Sequence, residues 1–261
     1  MDSTSRDSVG IADSGLSLKG VTKVFDDFTA VDDVSFTVSD GEFVCIVGPS
    51  GCGKTTVLRL VAGLAVPTRG SLTMDGIPIS GPGSDRGMIF QDYALFPWRT
   101  VHGNVAFGLE MKGFAQQARE ERVNQYIRLV GLSDFAARYP RELSGGMKQR
   151  VAIARVLANE PKMILADEPF GALDAQTRRQ MQEELLSIWT AERKTILFVT
   201  HSVEEAIVLA DRIILLSAKT RGVKRIIPVE LPRPREHLDA EFSALHEDIL
   251  SQIYEEAVFG L

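Results

Sequence analysis

Glu42-Phe43-Val44-Cys45-Ile46-Val47 runs straight into Gly48-Pro49-Ser50-Gly51-Cys52-Gly53-Lys54-Thr55-Thr56, and Lys54–Leu64 reads as a helix. The first six residues are an almost continuous apolar run, the pattern of a strand buried on both faces in a parallel sheet. The glycine stretch fits G-x-x-x-x-G-K-[ST], in which backbone N–H groups and a lysine surround phosphates. Gly48, Gly51 and Gly53 let the backbone fold closely around anionic oxygens. Lys54 would then reach the β- and γ-phosphates of a nucleotide, the Thr55 hydroxyl would ligate Mg²⁺, and Thr56 would face the α-phosphate. Strand, glycine loop and helix in this order are the context that the pattern needs. They predict an α/β fold.

Downstream, Leu143-Ser144-Gly145-Gly146-Met147-Lys148-Gln149-Arg150 opens another helix with a serine and two glycines, a second anion-binding terminus. Met163-Ile164-Leu165-Ala166-Asp167-Glu168 is an apolar strand ending in two carboxylates. Such a strand presents Asp167 to Mg²⁺ at the carboxyl edge of a sheet and Glu168 to an attacking water. The plainer alternative is a strand running into a polar turn. Gln91 follows the short apolar strand Gly87–Phe90, where an amide could bind Mg²⁺ and water or simply lie on the surface. His201 follows the strand Thr195–Thr200, where an imidazole could hydrogen-bond the γ-phosphate or serve structure alone. Cys52 is either a thiol activated by the helix N-terminus or a small residue that fits, and the second reading is preferred.

The remaining pattern alternates. Leu16–Phe25 and Val31–Val38 read as half-buried strands, Gly70–Arg86 as short strands and turns, and Arg212–Ser217 as a further strand. Between Asp174 and Arg193, Met181, Leu185, Ile188 and Trp189 fall on one helix face. A last helix is expected from Asp239, with Phe242, Leu245, Ile249 and Ile253 on one side. Strands alternating with helices argue for a parallel sheet covered on both faces.

Composition limits the function. The 261 residues are 44% hydrophobic and 25% charged, ordinary for a globular protein, and the net charge of −6 opposes a general attraction to nucleic acid. Cys45 and Cys52, the only cysteines, fit a reducing compartment rather than a disulfide framework. No run approaches the roughly 20 apolar residues that span a bilayer. Residues 1–14 are polar, lack the apolar core of a secretory signal, and read as a disordered leader.

In order along the chain, Phe25, Gly48–Thr56, Gln91, Leu143–Arg150, Ile164–Glu168, Ala172-Leu173-Asp174 and His201 resemble the motifs of ABC transporter ATP-binding subunits. They correspond to the aromatic A-loop, Walker A, Q-loop, signature, Walker B, D-loop and switch histidine. The likeness covers about Leu16 to Ser217, and the signature is its most specific part. It implies a P-loop NTPase (RecA-like) core with a small N-terminal antiparallel β subdomain and an inserted α-helical subdomain at about 92–158. The ATPase domain would span 15–235 and a C-terminal helical tail 236–261. The resemblance implies ATP and Mg²⁺ as cofactors and Glu168, His201 and Gln91 as catalytic residues. ATP would be held by Gly48, Pro49, Ser50, Gly51, Cys52, Gly53, Lys54, Thr55 and Thr56, with Ser144, Gly145, Gly146 and Asp174. Thr55, Gln91 and Asp167 would hold the metal, and Phe25 would stack on adenine or, alternatively, only pack. Met147, Ala166 and Phe25 depart from the commonest residues of these motifs, while the serine and both acids are intact.

If Ser144 sits on a separate helical subdomain, it cannot easily reach a nucleotide held by Lys54 of the same chain. Two chains facing head to tail on ATP binding solve this geometry. Leu95-Phe96-Pro97-Trp98, Asn104–Glu110, Gly81-Pro82-Gly83 and Leu231–Arg235 look like an importer group for nitrate, sulfonate, taurine or bicarbonate, though importers of pyrimidine precursors share them. The implied partners are a transmembrane permease and, through it, a solute-binding protein. The implied location is peripheral, on the cytoplasmic face of the cell (inner) membrane. Non-transport ATPases of the same superfamily remain the alternative. No long coiled coil separates Lys54 from Ser144, as it would in a chromosome-maintenance ATPase, and a translation-factor ATPase would carry two such domains.

Overall fold

The computed structural model describes residues 15–171, 173–236 and 239–258. The expected leader, 1–14, lies outside them, as does Ala172 of the Ala172–Asp174 motif. Two sheets organise the chain. The smaller is antiparallel, with β1 (Leu16–Phe25) between β2 (Phe28–Val38) and β4 (Arg69–Met74), and β5 (Ile77–Pro78) at its edge. The larger has six strands: β3 (Phe43–Val47), β6 (Arg86–Ile89), β7 (Met163–Asp167), β8 (Thr195–Val199), β9 (Arg212–Leu216) and β10 (Val223–Pro228). Its order is β10-β9-β3-β8-β7-β6, parallel except for β10.

Strand β3 explains why this sheet is central. All five of its residues are buried, and they divide by alternation between two cores. Phe43, Cys45 and Val47 join the helical side with Val151, Leu185 and Phe198. Val44 and Ile46 join the other side with Leu16, Val34, Val57 and Leu58. Side chains that alternate across a strand thus bind the small sheet and α1 (Lys54–Val61) to one face and the helical region to the other.

The 92–158 region holds α2 (Val101–Met111), α3 (Gln116–Leu129), two short 3₁₀ turns and α4 (Gly145–Leu157). Then come α5 (Ala175–Glu192), α6 (Val203–Leu209) and α7 (Ala240–Val258). Met181, Leu185, Ile188 and Trp189 are the buried face of α5, as their spacing predicts. The strand β10 was not expected. Its sequence reads as a basic stretch because only Ile227 of this edge strand is buried: Arg225 is exposed, while the half-buried Lys224 donates to the Gln252 carbonyl of α7.

Leu231–Arg235 closes the end of α6. Arg235 donates to the carbonyls of Ile207 and Ala210, and Arg233 to that of Leu209. These are the orphan acceptors at a helix C-terminus, where a cation also meets the negative end of the dipole. Burial pulls the Arg235 guanidinium pKa down to about 10.

Candidate functional site

The loop between β3 and α1 borders a cleft of about 350 Å³ lined by Phe28, Ala30, Ser50, Gly51, Gly53, Lys54, Thr55, Thr56 and Glu168. Gly53 makes the loop possible. Its φ is +100°, and a Cβ there would lie 2.7 Å from the Ala30 carbonyl oxygen, so only glycine fits between the loop and β2. Gly53 is also the N-cap of α1 and supplies no side-chain bond, which leaves the first-turn N–H groups to an outside acceptor. Lys54 Nζ donates to the carbonyls of Gly48 at 2.9 Å and Pro49 at 3.1 Å, folding the buried ammonium back over its own loop.

Strand ends bring the remaining groups to the same edge. Thr55 Oγ1 donates to Asp167 Oδ1 at 3.0 Å. Burial raises the Asp167 pKa, and the Thr55 hydrogen bond opposes the shift. A hydroxyl beside a desolvated carboxylate is a hard-oxygen pair that suits Mg²⁺, which takes one or two protein ligands and completes its shell with water and phosphate. Among the described residues no group of three or more His, Cys, Asp or Glu could form an all-protein metal cage.

Glu168 follows with φ +44°, a left-handed conformation unusual for a side chain of this size and of the kind that gathers at functional sites. Its Oε2 lies 3.1 Å from His201 Nδ1. A Cβ built on Gly171 would sit 3.8 Å from Gln91 Nε2 and 3.9 Å from Glu168 Oε2, so amide and carboxylate converge over that glycine. Arg178 holds the segment after Glu168 by donating to the carbonyls of Phe170 and Leu173. Behind His201, Glu205 is buried and accepts from Gln182 at 3.0 Å; desolvation raises its pKa.

The second anion-binding terminus stands apart. Ser144 caps α4, its hydroxyl accepting from Met147 N at 3.3 Å. Gly146 packs against α5, where a Cβ would meet Thr177 Cγ2 at 2.7 Å. Asp174 caps α5 by accepting from Thr177 N and Oγ1, and those bonds hold its carboxyl below the usual range. Ser144, Gly145, Gly146 and Asp174 thus form one group, and none of them lines the cleft around Lys54.

Cys52 is buried in the apolar core, and desolvation raises its thiol pKa, which favours the packing reading. Phe25 is 47% exposed at the end of β1, with Lys23 Nζ 4.7 Å from its ring centroid, while the aromatic ring lining the cleft belongs to Phe28. The signal for Phe28 was its alternation with Ala30 on one face of β2, which sequence reading passed over.

Residues 31–171 match the family profile described as ABC transporter. This chain belongs to the ABC transporter family. It is an ATP-binding cassette and an ATPase. It is 52% identical over 207 residues to the nitrate import ATP-binding protein NrtD of Synechocystis sp., covering 79% of this chain and 78% of that one. It is 45% identical over 224 residues to the aliphatic sulfonates import ATP-binding protein SsuB of Bacillus licheniformis, covering 86% and 87%. Its structure resembles the dimeric form of a bacterial ABC transporter cassette with a TM-score of 0.74 at 35% identity, covering 83% of this chain and 100% of that one. That cassette has also been solved as a dimer in a post-hydrolysis state bound to ADP and Pi. The P-loop NTPase core with its added β and helical parts is the cassette architecture. Among the described residues of this ABC protein no helix is long and apolar enough to cross a membrane.

Proposed function

We propose that this cassette powers uptake of a small anion such as a sulfonate, taurine or nitrate. It would work on the cytoplasmic face of the membrane, with a separate permease and, through it, a solute-binding protein. One observation carries the reading of the motor. Among the described residues none from the Ser144 helix lines the cleft holding Lys54, Thr55 and Glu168, and the Ser144 cap takes up a single N–H of that helix's first turn, that of Met147. Two copies arranged head to tail complete both. ATP sandwiched between them contacts Lys54 of one chain and Ser144 of the other. Loss of the γ-phosphate removes the differential binding that favours the closed dimer.

In the hydrolysis step, water attacks the γ-phosphorus, the bond to the bridging β–γ oxygen breaks, and ADP leaves with that oxygen. Glu168 orients the water and accepts its proton, while His201 and Gln91 hold the water and the γ-phosphate oxygens. Lys54 leaves its loop carbonyls for the phosphates, and the α1 and α4 N-termini oppose the developing charge. Thr55, Asp167 and Gln91 would hold Mg²⁺, which when bound neutralises charge on the β- and γ-oxygens.

Coupling to the permease would use a second cavity of about 540 Å³, lined by Met88, Phe90, Phe96, Phe107 and Met111 together with Arg86, Lys112 and Arg155. Trp98, 72% exposed nearby, sets its ring at a tilt of 47° against Phe96. This apolar groove suits a short cytoplasmic helix of the permease. The anion assignment draws on the relatives that import nitrate and sulfonates. Small-angle scattering of Glu168→Gln with Mg-ATP tests the motor: a dimer is expected, and its loss on adding Ser144→Arg. A dimer indifferent to Ser144 would overturn the head-to-tail sandwich. Uptake of labelled taurine, nitrate and orotate by vesicles carrying the cognate permease and binding protein tests the solute, and orotate alone entering would overturn the anion class named here.

A further inference from the structure

We propose that Phe28, backed by Arg221 and lying across the hairpin from Phe25, is a base-contacting residue of the ATP site. This rests on the nucleotide reading of the cleft around Lys54. The hairpin between β1 and β2 turns on Asp26 and Asp27, and Phe25 and Phe28 are directly opposite in its register. Residues opposite one another in an antiparallel pair project from the same face of the hairpin. Single exposed hydrophobic residues need no explanation. Here two large rings are exposed together, Phe28 at 54%, and Phe28 also lines the cleft with Ala30, Gly51 and Lys54.

One face of the Phe28 ring is occupied. Arg221 Cζ lies 4.5 Å from its centroid, and Arg221 Nη1 donates to the Gly51 carbonyl at 3.4 Å. One side chain therefore touches both the aromatic wall and the apex of the phosphate loop. Its position is fixed by the turn between β9 and β10. Asp32 N donates to the Arg221 carbonyl at 2.8 Å, and Ser217 N to that of Gly222 at 3.0 Å. Ser217 Oγ accepts from Thr220 N and donates to Glu256 Oε2 at 2.6 Å, tying the turn to α7. A guanidinium on one face of a ring leaves the other face for a planar ligand, and the cleft side is where a base joined to loop-bound phosphates would lie.

Stacking reads the flat face of a base and not its edges, so this wall should add affinity without selecting among purines. The test is calorimetry of the full chain with Mg²⁺ and three ligands: ATP, GTP and inorganic tripolyphosphate, which has no base. Phe28→Ala should weaken ATP and GTP alike by about tenfold and leave tripolyphosphate unchanged, and Phe28→Trp should restore binding. Arg221→Ala, acting as a positioning residue, should cost about threefold for the two nucleotides only, and Arg221→Lys should recover most of it. Thermal unfolding checks that each variant is folded. If Phe28→Ala binds ATP like the native chain while Lys54→Ala does not, the base contact is wrong and the ATP site stands. If tripolyphosphate is lost in parallel, the variant distorts the phosphate loop and the base contact is again overturned. If Lys54→Ala retains ATP, the site reading itself fails, and this proposal with it.

Discussion

The N-termini of α1 and α4 offer the same chemistry, first-turn N–H groups at the positive end of a helix. They differ in their surroundings. Around α1 the chain has already gathered the Lys54 ammonium, the Thr55–Asp167 pair and the Glu168–His201 pair, all within one cleft edge. Around α4 it has gathered packing: Gly146 against Thr177 and Asp174 capping α5. In the proposed motor a second copy brings this catalytic half-site and the capped α4 terminus together. A self-sufficient ATPase would have needed that terminus beside the cleft.

The largest test removes the general base from the finished half. Glu168→Gln keeps a polar side chain but cannot accept the proton, so turnover should fall by roughly 10²- to 10⁴-fold with ATP still bound. Phosphate release and equilibrium binding measured on the same preparation check this. Native turnover would end the role assigned to Glu168.

A mixing experiment breaks or sharpens the comparison directly. Lys54→Ala and Ser144→Arg chains should each be nearly inactive alone. In a head-to-tail heterodimer one of the two sites takes its lysine from one variant and its serine from the other, and is intact. Mixing should therefore recover hydrolysis, up to about a quarter of the native rate if chains pair at random. No recovery under conditions where the heterodimer forms would mean that each chain uses its own Ser144.

Gly146→Ala carries a smaller effect and asks whether the α4 terminus is held by packing. The added methyl would sit 2.7 Å from Thr177 Cγ2, so α4 and α5 must separate slightly. Overpacking of this kind costs about 1–3 kcal/mol, read as a lower unfolding midpoint in denaturant. Trimming the neighbour in Gly146→Ala/Thr177→Ser should return part of it.

The two regions were unequally legible in the sequence. Around α1 the reading worked because strand, turn and helix are contiguous, and Val44, Ile46 and the glycines each declare their position locally. The carboxyl ends of β7 and β8 were legible as apolar runs stopping at Asp167 and Thr200. That they meet Thr55 and one another depends on the order β3-β8-β7, which is a non-local pairing no local pattern encodes. Arg235 escaped for the opposite reason: a cation in a proline-rich basic stretch reads as exposed, yet its partners are carbonyls, which every sequence hides. Arg221 was missed likewise, since its meaning depends on a ring that lies far from it in the chain.

The smallest predicted effect concerns the electrostatic cost of assembling the finished half before any nucleotide arrives. Glu205, behind His201, is buried, and desolvation raises its pKa despite the Thr200 and Gln182 hydrogen bonds and the nearby Arg178 and His201. A raised folded pKa means that the native chain holds this proton more tightly than the unfolded chain. The stability from this group is then fully present below the unfolded pKa and is lost as pH rises through the folded value. Glu205→Gln keeps an acceptor for Gln182 and has no charge to desolvate. At neutral pH it should stabilise the nucleotide-free chain by on the order of 1 kcal/mol, and the gain should shrink toward zero as the pH falls below the ordinary glutamate range. Urea unfolding at several pH values measures this. A variant less stable than the native chain at neutral pH would show that the ionised carboxylate is fully compensated, and that the catalytic edge is assembled without stored cost.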